Sequence, residues 1–461
     1  MAITDHDSFY PVAANSNDMT DSGTPEQMTF GDIGSGADDA EDGREAHAAA
    51  EARAVAGDGT GDGIETIDPT REGVDAQYGE PAETKTLAVM QVDYTIEGHG
   101  PSERPIMHVF GRDADDEPEH VKLIGFRPYF YAPTDSLGRP PEDEYDVLTG
   151  STETDEDGEP FESIRGEKLT KIFGRTPRDV GNVRDEFDHF EADILFPNRF
   201  LIDKDVESGI EVPLRRDEDG ALIAVHDEVE AVEATASPRV NAFDIEVDDR
   251  HGFPEPEDAE QPIVCLTSHD SYDDEYVVWL YDAPEAEVPS PEGLPDYEGI
   301  VDTEDGDETL DFEVRTFEAE AAMLDAFVEY IDETDPDVLT GWNFEDFDAP
   351  YVLDRLEVLD EGSQYDLDVD RLSRIGEVWR SGWGGPDVKG RVVFDLLYAY
   401  KRTMFTELES YRLDAVGERE LGVGKERYTG DIGDLWEQDP ERLLEYSIRD
   451  VELCVEIDRK Q

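Results

Sequence analysis

Apolar residues are sparse as far as residue 84 and then gather into runs. Residues 1–84 are rich in Gly, Asp, Ala, Glu and Ser and hold neither a helical nor a strand period, which predicts a disordered acidic tail. Order is expected from Lys85. Residues 86–94 and 105–112 are apolar runs on either side of a Gly-rich turn, the pattern of a hairpin. The aromatic run 126–133 adds a strand whose prolines favour an edge or a strand start. Residues 179–190 read as a short helix, and 193–204 close this first unit.

A second unit begins near Ser237. Residues 240–247 read as a strand, and 263–267 with 276–281 as a hairpin. Phe317, Leu324, Phe327, Val328 and Ile331 fall on one face of a helix. Residues 337–342 are strand-like, 347–359 helical, 391–397 a strand or strand-to-helix edge, and 440–460 a last helix. Strands first and helices interleaved later predict an α/β (α+β) class: a ribonuclease H-like mixed sheet flanked by helices, behind a smaller β-rich α+β domain. The expected division is 1–84 tail, 85–236 amino-terminal domain and 237–461 second domain.

Charge complicates any assignment of partner. The chain has 119 acidic and 38 basic residues, a formal net charge of −81. Nucleic acid is ordinarily met by a basic surface, so this balance alone argues against it. Yet the acid runs through every segment that reads as folded, which suggests adaptation to molar salt. There the Debye length is about 3 Å, and remote carboxylates repel DNA little. Cys265 and Cys454 lie inside apolar segments and read as core residues of a reducing, cytoplasmic protein. The amino terminus has no signal-like pattern and no run reaches membrane-spanning length, so no membrane partner is expected.

Candidate chemistry has to rise above this acidic background, in which an isolated Asp-x-Glu arises by chance. Asp244 and Glu246 stand two apart on an otherwise apolar strand, so both carboxylates project from one face and could share a cation. Residues 340–351 pass from strand through a turn into a helix, with Asn343 at the strand exit and Asp348 near the helix start, where a carboxylate could equally be a cap. Tyr446 and Asp450 are four apart on the last helix and share a face. A cage of such carboxylates is a usual way to hold two divalent cations for phosphodiester hydrolysis.

Together the three segments resemble the exonuclease motifs of family B DNA polymerases: Asp-x-Glu, then Asn-x-x-x-Phe-Asp, then Tyr-x-x-x-Asp, in that order and at wide spacing. The likeness extends over most of 85–461, with 92–94, 126–129, 199–204 and 389–395 similar to archaeal, and particularly haloarchaeal, members. The resemblance implies the amino-terminal and 3′→5′ proofreading portion of such an enzyme. By it, Asp244, Glu246, Asp348 and Asp450 would hold two Mg²⁺ or Mn²⁺ ions, and Tyr446 would hydrogen-bond the water or phosphate. Asn343 and Phe347 would position a single-stranded 3′ end of primer-template DNA, and Asp395 would be a supporting carboxylate. It also implies a template-uracil pocket near Tyr94, Pro128 and Arg199. The Ser-Leu-Tyr-Pro and Asp-Thr-Asp strings of a polymerase palm do not occur. A palm-containing polypeptide and a sliding clamp are therefore expected partners. The other readings are an idle DNA-binding scaffold of a split polymerase and a stand-alone editing nuclease.

Overall fold

The computed structural model describes residues 68–461 apart from 257, 292, 294–296, 298, 301–309, 311, 361, 381–384, 405–407 and 426–427. Residues 1–67, most of the expected disordered tail, lie outside the described residues. The remainder of that segment is not disordered. Helix α1 (Arg71–Tyr78) starts where the Thr70 hydroxyl accepts from Gly73 N, and its fully buried Val74 packs on Ile106, Ile124, Ile223 and Val225. Arg215 ties it down through an ion pair to Asp75. One buried apolar side chain, one cap and one ion pair order a segment whose composition alone looks unfoldable.

Strands β1 (Thr84–Glu97), β2 (Arg104–Arg112) and β3 (Pro118–Ile124) form a meander. A small sheet follows, of β4 (Tyr129–Pro133), β5 (Leu148–Thr152) and β6 (Leu169–Gly174), then helices α2 (Pro177–Val183) and α3 (Phe196–Asp203). Strands β7 (Gly209–Pro213), β8 (Leu222–Val225) and β9 (Glu230–Val232) complete a six-stranded sheet in the order β8-β3-β2-β1-β7-β9. The β1–β2 turn carries Gly98 at φ +87°, where a Cβ would also meet Ser102 O at 2.5 Å. Alternate residues such as Val92, Tyr94, Met107 and Leu123 face inward onto Phe196 and Phe200 of α3. The run expected to be a helix at 179–190 is α2 followed by a 3₁₀ turn over Arg184–Glu186.

The second half builds β10 (Val240–Val247), β11 (Ile263–Asp270), β12 (Glu275–Tyr281), β13 (Phe312–Phe317), α4 (Glu320–Thr334), β14 (Val338–Gly341) and α5 (Asp348–Asp360). The hairpin β15 (Val378–Trp379) and β16 (Asp387–Val388), strand β17 (Val392–Asp395) and helices α6 (Leu396–Thr403), α7 (Leu413–Glu420), α8 (Ile432–Gln438) and α9 (Pro440–Lys460) follow. The sheet order is β13-β12-β11-β10-β14-β17, antiparallel at β10–β11–β12 and parallel elsewhere. Phe317, expected on the apolar face of a helix, instead closes β13 opposite Tyr281. A non-local parallel pairing overrides the helical period there.

Each face of this sheet is covered, as a mixed sheet of this kind requires. Phe243, Ile245 and Val247 of β10 pack under α4 and α5 with Phe327, Val328 and Val352. The opposite face meets α9, where Ala242 joins Val451 and Val455. The alternation therefore turns Asp244 and Glu246 toward α9.

The two large sheets are joined through buried charge. Lys389 Nζ lies 3.1 Å from Asp93 Oδ1, Gly390 N donates to Asp93 Oδ2 at 2.7 Å, and Arg112 pairs with Asp337. Lys389 also stands 3.8 Å over the Trp379 ring. Among the described residues, no helix is long and apolar enough to cross a membrane.

Candidate functional site

Asp244, Glu246 and Asp450 each bring one carboxylate oxygen within 4.8 Å of the others. Glu246 and Asp450 are buried, and Asp244 is half-buried. Two come from one face of β10, and the third descends from α9. Crowded like charges in a desolvated place resist ionisation. Burial first, and the Asp450 charge second, push the Asp244 carboxyl up to about 7. Burial and then Asp244 hold Glu246 well above the usual carboxylate range.

Asp348 approaches from the strand edge. Strand β14 pairs with β10 only over Val240–Ala242, which leaves the backbone of β10 open beyond that point. The Ile245 N–H is taken at 3.2 Å by Asp348 Oδ1, from the first residue of α5. Its carboxylate thus sits against the peptide joining Asp244 to Ile245. Burial and the Asp244 charge raise it well above its ordinary value.

Lys425, which sequence reasoning missed, supplies the counter-charge. Its ammonium pairs with Asp450 Oδ2, while Asp450 Oδ1 is buried with no hydrogen-bond partner among the described residues. Burial opposes the charge on Lys425, but Asp450, Tyr446 and Asp244 hold it well above the usual lysine range. The Asp414 carboxylate accepts from Lys425 N at 3.1 Å and so fixes the loop. The available signal was a lysine after Gly422-Val423-Gly424 in a chain poor in cations.

Tyr446 is half-buried, with Lys425 Nζ 5.8 Å from its ring centre. Burial, then the charge of Glu246, raise its phenol far above the ordinary value, so it stays a neutral donor at any moderate pH. Asn343 has a left-handed backbone, φ +64°, and its carbonyl accepts from Phe347 N at 3.1 Å. That bend turns the chain from β14 into α5. Phe347 packs against Tyr351 and, at 6.0 Å, against Phe253, an exposed ring that sequence reasoning also missed.

Other predicted residues lie elsewhere. Asp395 caps α6, accepting from Leu397 N, Tyr398 N and Glu345 N, which makes it a structural carboxylate. Tyr94 is buried, edge-on to Phe196 and Trp379. Pro128 is buried beside Tyr129. Arg199 is buried too, bonded to Tyr129 Oη, Glu191 Oε2 and Glu191 O.

The cluster fits a divalent cation. Its donors are all carboxylate oxygens, suited to hard cations. One buried oxygen lacks a partner, and a lysine ammonium already stands as the local positive charge.

The second half is thus a mixed sheet with carboxylates gathered beneath helix α9. Residues 187–416 match the family described as DNA polymerase family B, exonuclease domain, a span that holds the first two motifs and ends before the third. The chain belongs to that family through its exonuclease domain. It is similar to the DNA-directed DNA polymerase of Escherichia phage RB69, 35% identical over 233 residues, 48% of this chain and 26% of the relative. It is also similar to the DNA polymerase of Pyrococcus glycovorans, 26% identical over 394 residues, 81% of this chain and 42% of the relative. The family B DNA polymerase of the archaeon Pyrobaculum calidifontis shares the fold over 81% of this chain and 45% of its own, with TM-score 0.59 and 24% identity. The chain spans less than half the length of each of these relatives.

Proposed function

We propose that residues 237–461 are the proofreading 3′→5′ exonuclease of a family B DNA polymerase and that 85–236 are its amino-terminal domain. The observation that carries this reading is the convergence of Asp244, Glu246 and Asp450 from distant stretches of chain. With Asp348 they would hold Mg²⁺ or Mn²⁺ ions. Bound there, such ions supply an acidified water and neutralise charge on the phosphoryl oxygens.

The chain's own groups do the rest. Glu246 and Asp450, buried and held toward their protonated forms, exclude bulk water and would give up their protons as cations bind. The neutral Tyr446 phenol donates a hydrogen bond to the attacking water or the phosphate. Lys425 keeps a positive charge beside the site. Phe347 and the exposed Phe253 offer ring faces on which bases of a single strand stack, while the Asn343 turn holds them at the site's rim. DNA is thus the proposed partner.

The test is release of mononucleotides from single-stranded DNA labelled at its 3′ end, in molar KCl with Mn²⁺. Asp244→Ala is expected to lower the rate at least about a hundredfold. Unchanged release by that variant, or first release from 5′-labelled ends, overturns the reading.

A further inference from the structure

The seam between α9 and the β11–β12 pair is largely apolar, with Val264, Val278, Leu444 and Ile448 packed together. Two hydroxyls interrupt it. Thr267 Oγ1 and Ser447 Oγ lie 2.7 Å apart, and both residues are fully buried. Thr267 stands directly opposite Asp244 in the β10–β11 register, and Cys265, opposite Glu246, lies against both hydroxyls. Ser447 follows Tyr446 and precedes Asp450 by less than a turn of α9.

Apolar contact is non-directional, so by itself it discriminates weakly among alternative registers of a helix on a sheet. A buried hydroxyl contact is different, because shifting α9 by even one residue, about 1.5 Å, would carry the Ser447 hydroxyl away from its Thr267 and Cys265 partners. Satisfied buried polar contacts select one arrangement out of several that pack equally well. The placement matters as much as the bond. It joins the strand residue beneath Asp244 to the helix turn that carries Tyr446 and Asp450, so the same contact sets how far the α9 carboxylate stands from the β10 pair.

We infer that Thr267 and Ser447 are positioning residues for the carboxylate cluster: their hydroxyl contact fixes the register of α9 on β11 and thereby the spacing of Asp450 from Asp244 and Glu246. This rests on the metal-holding reading above. Neither side chain is a ligand, and neither meets substrate. Their effect passes through Asp450 and is felt as cation affinity.

The experiment is calorimetric titration of Mn²⁺ into the full chain in molar KCl, with urea unfolding of each variant alongside. Ser447→Ala and Thr267→Val are each expected to weaken Mn²⁺ binding by about 10- to 100-fold, the range for groups that orient metal ligands. Thr267→Ser keeps the hydroxyl and is expected to bind like the parent. A merely structural role would lower the urea midpoint in Ser447→Ala and Thr267→Val and leave cation affinity of the folded protein unchanged, which overturns the inference. If Ser447→Ala does not fold, the contrast between Thr267→Val and Thr267→Ser decides. A parent chain that binds no Mn²⁺ sinks the metal centre itself. Parent binding that Asp244→Ala abolishes, with Thr267→Val unaffected, sinks only the positioning role.

Discussion

The Lys425 ammonium rests on Asp450 and brings a positive charge to the carboxylate cluster. Remove it and Asp450 becomes a buried charge with no partner on either oxygen. Breaking one side of a buried pair costs roughly 3–5 kcal/mol. Lys425→Met is therefore expected to destabilise the cation-free chain by about 3 kcal/mol in urea. Mn²⁺ at about a hundred times its dissociation constant should restore roughly 2.7 kcal/mol. Equal urea midpoints for parent and variant without Mn²⁺ would show that the ammonium does not stabilise the cluster.

The turn into the second motif is sterically closed. A Cβ on Gly341 would lie 2.7 Å from Phe243 O and 2.8 Å from Phe344 Cδ2, so β14 would have to move away from β10. Gly341→Ala is expected to cost about 1–3 kcal/mol, as overpacking does. It should also weaken Mn²⁺ binding, because Asp348 is held against Ile245 N by the same chain path. Asn343→Gly, by contrast, suits the left-handed backbone and should leave stability within about 0.5 kcal/mol. Calorimetry and urea unfolding of the pair check both statements.

The sequence made some of this legible and hid the rest for physical reasons. Alternation along 240–247 correctly turned Asp244 and Glu246 to one face, since a strand's period is a local property. The face shared by Tyr446 and Asp450 was equally local. Lys425 was invisible because its meeting with Asp450 depends on how the loop after α7 folds back over α9. Strand β13 was missed for a similar reason: Phe312–Phe317 has no clear alternation, and its pairing with β12 joins stretches about thirty residues apart in sequence, one ending at Tyr281 and the other starting at Phe312. Helix α1 was hidden by composition, as its order comes from Val74 meeting residues of β2, β3 and β8.

Glu377 gives the junction between the sheets a pH dependence. Burial, then Asp370 and Asp93, push it up to about 7 against the pull of Lys389. The folded state thus favours the neutral form, while the unfolded chain ionises near the ordinary 4.5. The contribution to stability is complete below that value and is lost as pH rises through about 7. Discounted for its partial exposure, the swing should be about 1 kcal/mol. Comparing urea unfolding at pH 5 and pH 8, Glu377→Gln should fall less than the parent. A parent and variant with the same pH slope would remove Glu377 as the source.

The net charge of −81 makes salt the strongest lever on the whole fold. Several cations are held by two carboxylates at once: Lys85 by Asp113 and Glu119, Lys122 by Asp217 and Asp219, Arg380 by Asp354 and Glu357. Even with such sharing, 119 acidic residues against 38 basic ones leave a large excess of mutually repelling negative charge. Raising KCl from about 0.1 M to 1 M shortens the Debye length from about 10 Å to about 3 Å and screens that repulsion. The attraction in buried pairs such as Lys389–Asp93 is screened far less, so the balance moves toward the folded state. The urea midpoint is expected to rise steadily over this range, and cation affinity to be measurable only toward its upper end. A midpoint that falls with added KCl would mean that exposed ion pairs outweigh like-charge repulsion, and the reading of the acidic surface as an adaptation to salt would be wrong.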